Sequence, residues 1–80
     1  MKDSKKRFAI CIDNSNYPAS LELHKVYRVI PDEDAAKDGD LRVIDESGED
    51  YLFSDQRFIL LDFPVDIVNT LDASFSHAVY

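Results

Sequence analysis

Hydrophobic side chains alternate with small or polar ones in several short stretches of the chain, and this spacing of two is typical of β-strands. In the first stretch Phe8, Ile10 and Ile12 share one parity, which predicts a strand over residues 8–12. Later apolar stretches of similar length predict four more strands, over 26–30, 41–46, 49–53 and 58–61. The pattern therefore predicts a domain built mainly of β-structure.

The segments between these strands are rich in turn-forming residues, beginning with a loop over 13–18. A bend or bulge is expected near His24 and Lys25, because Lys25 interrupts an otherwise apolar face. Pro31 ends the second strand, since proline has no N–H to donate to a ladder. Two helical turns are also predicted, a short one over 34–37 in the acidic connection and a 3₁₀ turn over 54–57.

The period changes near the end of the chain. Pro64 suits a first helical turn, where its missing N–H costs little. The apolar residues that follow recur at helical spacing, at Ile67, Val68, Leu71 and Phe75. These positions predict a C-terminal helix over 64–74, with residues 76–80 outside it.

The hairpin over 41–53 decides which side chains share a face. A two-residue loop at Ser47-Gly48 would place Glu46 opposite Glu49 and Asp45 opposite Asp50. This register pairs Val43 with Leu52 on one face and predicts a second apolar face formed by Ile44, Tyr51 and Phe53. The C-terminal helix is expected to cover that second face, and a partner protein or a second copy is the alternative.

Three segments, KVYRVI, LRVIDESGEDYLF and RFILL, resemble an SH3-like barrel family of short bacterial proteins of uncharacterised function. The resemblance covers about residues 8–61 and implies a bacterial, cytoplasmic protein, with no activity or catalytic residue to transfer. Together with the strand pattern, it predicts a mainly β fold, a small SH3-like partly open barrel of about five strands with a C-terminal α-helix. A chain of 80 residues is expected to form one domain over 1–80, with the barrel at 8–61 and the helix at 64–74.

Charge is distributed unevenly along the chain, whose net charge is −7. Residues 1–7 contain Lys2, Lys5, Lys6 and Arg7 against Asp3, a net +3, and the remaining residues carry five basic and fifteen acidic side chains, a net −10. Such a negative body disfavours nucleic acid as a partner and favours a basic protein surface. The single cysteine, Cys11, favours a reducing compartment, and no apolar run is long enough for a membrane span.

No set of residues with catalytic or metal-binding spacing is found. Cys11, His24 and His77 have no recognisable partner in sequence, and a nucleophile needs an adjacent base. An EF-hand alignment of the acidic connection on Gly39 places Ala36 where an oxygen ligand is required. One cysteine and two distant histidines do not complete a zinc site. We therefore expect no enzyme activity, no metal and no cofactor.

The remaining hypothesis is a small protein-interaction module that docks through an acidic hairpin and adjacent aromatic residues. The residues predicted to bind the partner are Tyr17, Asp45, Glu46, Glu49, Asp50 and Tyr51. The first alternative is a nucleic-acid-associated or ribosome-associated barrel that uses the basic N-terminal tail. The second is an accessory subunit of an enzyme. Monomer and homodimer both remain open, as does the identity of the partner.

Overall fold

A computed structural model describes residues 8–77 of the chain, with side chains to Phe75. The predicted basic tail, Lys2 to Arg7, and residues 78–80 lie outside the described residues, as does the side chain of His77. The elements in chain order are β1 (Phe8–Cys11), β2 (Val26–Ile30), α1 (Glu33–Lys37), β3 (Asp40–Ile44), β4 (Asp50–Ser54), a 3₁₀ turn (Asp55–Arg57), β5 (Phe58–Leu61) and α2 (Val65–His77).

The five strands form one antiparallel sheet in the order β4-β3-β2-β1-β5. β2 makes the sheet curl, because Val26 to Arg28 pair with β1 whereas Val29 and Ile30 pair with β3. The two outer strands, β4 and β5, do not pair with each other, so the barrel is partly open. The predicted mainly β fold, a small partly open barrel of five strands with a C-terminal helix, is confirmed, and its likeness to SH3-like barrels stays a prediction.

The core lies on the inner face of the curled sheet. Residues that point inward alternate along each strand with residues that point outward. The buried inner cluster contains Ala9, Cys11, Leu21, Tyr27, Val29, Val43, Phe53 and Phe58, with Leu41 packed against it. Three of its aromatic rings are in contact, since Phe58 lies 6.5 Å from Tyr27 and 6.1 Å from Phe53 between ring centroids.

The predicted register of the β3–β4 hairpin is wrong by one residue. Val43 pairs with Tyr51 and Ile44 with Asp50, and the Asp45 N–H donates to the Glu49 carbonyl at 3.1 Å. The loop therefore has three residues, 46–48, rather than two. A Ser-Gly loop of two residues would require a positive φ at Ser47, whereas the longer loop needs it only at Gly48, where φ is +85°.

This shift changes which side chains share a face. Tyr51 and Phe53 lie on the inner face with Val43, and Ile44 lies on the outer face with Leu52. The predicted Ile44, Tyr51 and Phe53 face therefore does not exist, and the expectation that α2 covers it is wrong.

α2 covers a different part of the outer face, around Phe8 at the start of β1. The fully buried Phe8 ring lies 5.8 Å from Phe75 and 6.0 Å from Phe63, between ring centroids. Arg28, which is paired with Phe8 across the sheet, donates to the Asp72 carboxylate at 3.3 Å. The helix thus lies over β1 and the beginning of β2, and it leaves Leu52 of β4 exposed.

The loop between β1 and β2 contains the predicted bend. His24 has a φ of +67°, and Asn16 earlier in the loop has a φ of +72°. Leu21 is fully buried between these two positions, whereas Leu23 is exposed. The loop therefore turns twice and buries Leu21 in the core cluster.

Candidate docking surface

The six residues predicted to bind a partner separate into two sets in the structure. Asp45, Glu46 and Asp50 make ion pairs or hydrogen bonds that hold the hairpin in place. Tyr17, Glu49 and Tyr51 present exposed groups on the inner side of β4. Partner binding by any of the six stays a prediction, but their geometry assigns them different tasks.

Glu46 belongs to a network that joins the hairpin tip to β2. The Lys25 Nζ donates to Glu46 Oε2 at 2.7 Å, and the buried Tyr27 hydroxyl donates to the same oxygen. The Glu22 N–H in turn donates to the Tyr27 hydroxyl at 2.7 Å. The Glu46 N–H also donates to the Ser20 carbonyl at 3.0 Å, so the hairpin tip is fastened to the first loop.

This network shifts the pKa of both its acids. The hydrogen bond from Lys25, followed by that from Tyr27, lowers the pKa of the Glu46 carboxyl below its usual value of 4.5. Burial, followed by the hydrogen bond to Glu46, raises the pKa of the Tyr27 phenol. Both shifts favour an ionised carboxylate and a neutral phenol at neutral pH.

We expect Glu46→Ala to lower the free energy of unfolding by about 1–3 kcal/mol, because the buried Tyr27 hydroxyl loses its acceptor. Glu46→Gln keeps an acceptor oxygen and should cost less. Since the folded pKa of Glu46 is lowered, its contribution is present above pH 4.5 and is lost as the pH falls through the folded pKa. Urea unfolding between pH 3 and pH 7 should therefore show that the free energy of unfolding falls less steeply with decreasing pH in Glu46→Gln than in the wild type. Equal slopes in the two proteins would contradict this role.

Asp45 and Asp50 are also engaged within the hairpin. The Asp45 side chain accepts from the Ser47 N–H at 2.8 Å and from the Ser47 hydroxyl, which fixes the turn. Asp45 is buried, unlike the other acids of the hairpin. Asp50 lies on the outer face and accepts from Arg42 Nη1 at 2.9 Å. These two carboxylates are therefore unlike the free acidic tip that the sequence predicted.

Tyr17 is held in place by contacts with one residue of β4 and one residue of the 3₁₀ turn. Its ring meets the Phe53 ring edge-on at 5.2 Å between centroids, and the Arg57 guanidinium lies 4.7 Å from its centroid. Arg57 Nη1 also donates to the carbonyls of Asp13 and Ser15, at 3.3 and 2.7 Å. Arg57 thus fastens the first loop to the 3₁₀ turn while Tyr17 remains 42% exposed.

Tyr51 lies two residues before Phe53 on the same face of β4. It is therefore next to Phe53, the residue whose ring Tyr17 contacts. It is 48% exposed, and its hydroxyl donates to Glu49 Oε1 at 3.0 Å. The hydrogen bond to Glu49, and then the charge of Glu49, raise the pKa of the Tyr51 phenol. We name the surface formed by Tyr17, Glu49 and Tyr51 the tyrosine surface. It combines two aromatic rings with the Glu49 carboxylate, and the Arg57 guanidinium lies against the Tyr17 ring.

Sequence reasoning missed Arg57 as an organiser of this surface. Its partners Asp13 and Ser15 lie more than forty positions earlier in the chain, and no local pattern links them. The positive φ at Asn16 was detectable in principle, because asparagine is enriched in turns of this kind. Only the folded barrel brings the loop and the 3₁₀ turn together.

Cys11 and His24, two of the three residues considered for catalysis, have no side-chain contact with each other, and the side chain of His77 lies outside the described residues. Cys11 is fully buried in the core cluster. His24 is exposed, and its contact with Cys11 is a backbone hydrogen bond, from the His24 N–H to the Cys11 carbonyl at 2.7 Å. Among the side chains that the structure describes, those of residues 8–75, no group of three or more histidine, cysteine or acidic residues could hold a metal ion.

A cleft of about 240 Å³ lies between α2 and the outer face of β2. Its lining residues are Arg28, Val29, Ile30, Pro31, Ile44 and Asp72. The two charged residues in this lining, Arg28 and Asp72, are paired with each other. The cleft is therefore lined by both polar and apolar groups.

No protein-family model, curated protein or solved structure matches the chain. Its membership in a family of short bacterial proteins thus stays a prediction. Among the helices that the structure describes, none has the length and apolar character needed to cross a membrane.

Proposed function

We propose that this protein is a non-catalytic interaction module that docks a basic segment of a partner protein through the tyrosine surface. The observation that carries the proposal is the exposed Tyr51 ring, whose hydroxyl donates to the Glu49 carboxylate, on the face of β4 where Tyr17 packs against Phe53. Aromatic faces and carboxylates both attract lysine and arginine side chains. A bacterial and cytoplasmic origin, as the resemblance to short SH3-like proteins implies, is part of the same proposal.

The charge balance of the described chain supports a basic partner. Residues 8–80 carry five basic and fifteen acidic side chains, a net −10. Four of the five basic residues are already ion-paired, namely Lys25, Arg28, Arg42 and Arg57. The acids outnumber these internal partners, so the net field around the barrel attracts cations and repels phosphate backbones.

Rigidity also supports docking at this surface. Tyr17 is fixed by Phe53 and Arg57, and Tyr51 is fixed by its bond to Glu49. Side chains that are already ordered lose less conformational entropy when a partner binds. A preformed aromatic surface is therefore better suited to binding than one that must be assembled.

We expect Tyr51→Ala and Glu49→Gln each to weaken binding of a lysine-rich and arginine-rich peptide. Exposed cation–π contacts contribute about 0.5–1 kcal/mol, which corresponds to a loss of roughly 2- to 5-fold in affinity for Tyr51→Ala. The measurement is a selection of displayed random 12-residue peptides on the wild type, followed by titration of the enriched peptides against each variant.

Glu49→Lys is the stronger test, and Asp38→Lys is its matched control. Asp38 is the C-cap of α1 and lies at the opposite end of β3 from the hairpin tip. Its replacement by lysine therefore changes the net charge equally without touching the tyrosine surface. Binding that falls equally in both variants would reflect net charge alone and would contradict the proposed surface. Glu46 is unsuitable for charge reversal, because it supports the fold through Tyr27 and Lys25.

A further inference from the structure

β4 is an outer strand of the sheet, with no neighbour on one side among the described residues. The Asp45 N–H donates to the Glu49 carbonyl, and the Asp55 N–H donates to the Gly39 carbonyl at 2.9 Å. In an antiparallel pair, residues that bond to the neighbouring strand alternate with residues that do not. The backbone groups that point away from β3 are therefore those of Asp50, Leu52 and Ser54.

Both faces of β4 carry exposed large side chains. Tyr51 on the inner face and Leu52 on the outer face are each 48% exposed. On the adjacent strand β3, the inward-pointing Val43 is fully buried. One further strand beside β4 would cover Tyr51 and Leu52 together, which a partner placed on a single face could not do.

The other edge of the sheet is less suited to an added strand. The Ile12 N–H donates to the Arg57 carbonyl at 2.8 Å, so by the same alternation β5 directs the backbone groups of Phe58 and Leu60 outward. Of these two outward positions, Phe58 is buried in the core cluster and only Leu60 is exposed, whereas the exposed Ile59 directs its backbone groups toward β1. β4 offers three exposed residues in succession at its outward positions.

We infer that β4 accepts an additional β-strand from a partner protein, and that this strand is an extended segment in which basic and apolar residues alternate. The inference rests on the proposed function and specifies how the basic segment binds. On the inner side, basic side chains would lie near Glu49 and the Tyr51 ring, with Asp55 at the far end of the strand. On the outer side, apolar side chains would lie against Leu52. Backbone hydrogen bonds supply affinity in strand addition, and alternate side chains supply specificity.

Charge favours a basic segment over a second copy of this chain. Antiparallel pairing of β4 with its own copy would bring Glu49 and Asp50 of one chain close to Asp55 of the other. Like charges at such positions are destabilising. Two copies of the chain, each with a net charge of −7, would also repel each other.

The test uses a defined probe, an acetylated and amidated nine-residue peptide of alternating lysine and valine. A second peptide carries an N-methyl group on every residue, which removes its backbone hydrogen-bond donors on both edges and keeps its charge. The two protein variants are Leu52→Pro and Leu52→Ala. Both remove the leucine side chain, but only proline removes the N–H that points away from β3, and proline is tolerated at such edge positions. Thermal unfolding of both variants checks that they fold.

Strand addition predicts that the parent peptide binds the wild type and that affinity falls at least tenfold with the N-methylated peptide. It also predicts that affinity for the parent peptide falls much more in Leu52→Pro than in Leu52→Ala. If both peptides bind the wild type equally and Glu49→Gln weakens the binding of both, strand addition is overturned and the proposed docking stands. Failure of the parent peptide to bind would overturn both. A free protein that sediments as a dimer in the wild type and as a monomer in Leu52→Pro would instead identify a second copy as the occupant.

Discussion

Phe58→Ala is expected to lower the free energy of unfolding by about 3–5 kcal/mol, the usual cost of removing a buried aromatic ring from a core. The Phe58 ring lies between Tyr27 and Phe53, so its removal interrupts the aromatic contacts that join β2, β4 and β5. Small domains are stable by only about 5–15 kcal/mol, so this single change should remove a large part of the total. Equilibrium unfolding in urea, followed by circular dichroism, provides the measurement.

The adjacent residue on the same strand supplies the matched control for Phe58. Ile59 is 52% exposed and points to the other face of β5. Ile59→Ala should therefore cost less than about 1 kcal/mol, in keeping with other exposed positions. Similar losses in the two variants would mean that β5 does not contribute its side chains to the core in the way described.

Arg57→Ala is expected to cost about 2–3 kcal/mol and to loosen the first loop selectively. Hydrogen bonds from charged groups contribute roughly 1.5–3 kcal/mol, and Arg57 donates to the carbonyls of both Asp13 and Ser15. Amide hydrogen exchange should increase at Tyr17 and Leu21, whose N–H groups donate within this loop. The amides of β3 should change only by the global loss of stability.

Arg57→Lys separates the charge of Arg57 from its geometry. Lysine retains the positive charge but lacks the planar group that bonds two carbonyls and stacks on an aromatic ring. We expect Arg57→Lys to recover only a small part of the loss. Full recovery would show that the ion pair with Asp13, at 3.5 Å, matters more than the carbonyl contacts.

The regular elements of this protein could be predicted from the sequence because their ends are marked by particular residues. Pro31 ends β2 at Ile30 as expected, and β5 occupies 58–61 after the predicted 3₁₀ turn. The helix predicted over 64–74 is observed at Val65–His77, so the expected end before residue 76 was too early. Helical spacing identifies an amphipathic helix well but its last turn poorly.

The hairpin register could have been predicted by a stricter physical argument. Ser47 would have to adopt a positive φ in a two-residue loop, which is unfavourable, whereas Gly48 adopts it freely in the longer loop. The tasks of Glu46 and Arg57 could not be predicted in the same way. They depend on Tyr27 and on the first loop, which approach only when the sheet curls.

The pairing of β1 with β5 has a consequence for the order of folding. Phe8 pairs with Leu61, about fifty positions away, whereas β3 and β4 are joined by a three-residue loop. Closing a long loop costs more entropy than closing a short one, so distant pairings slow folding more than local ones. We therefore expect the β3–β4 hairpin to form early and β5 to dock on β1 last. Until that final step, the wholly apolar segment of β5 is open to other chains, and aggregation competes with folding during that interval.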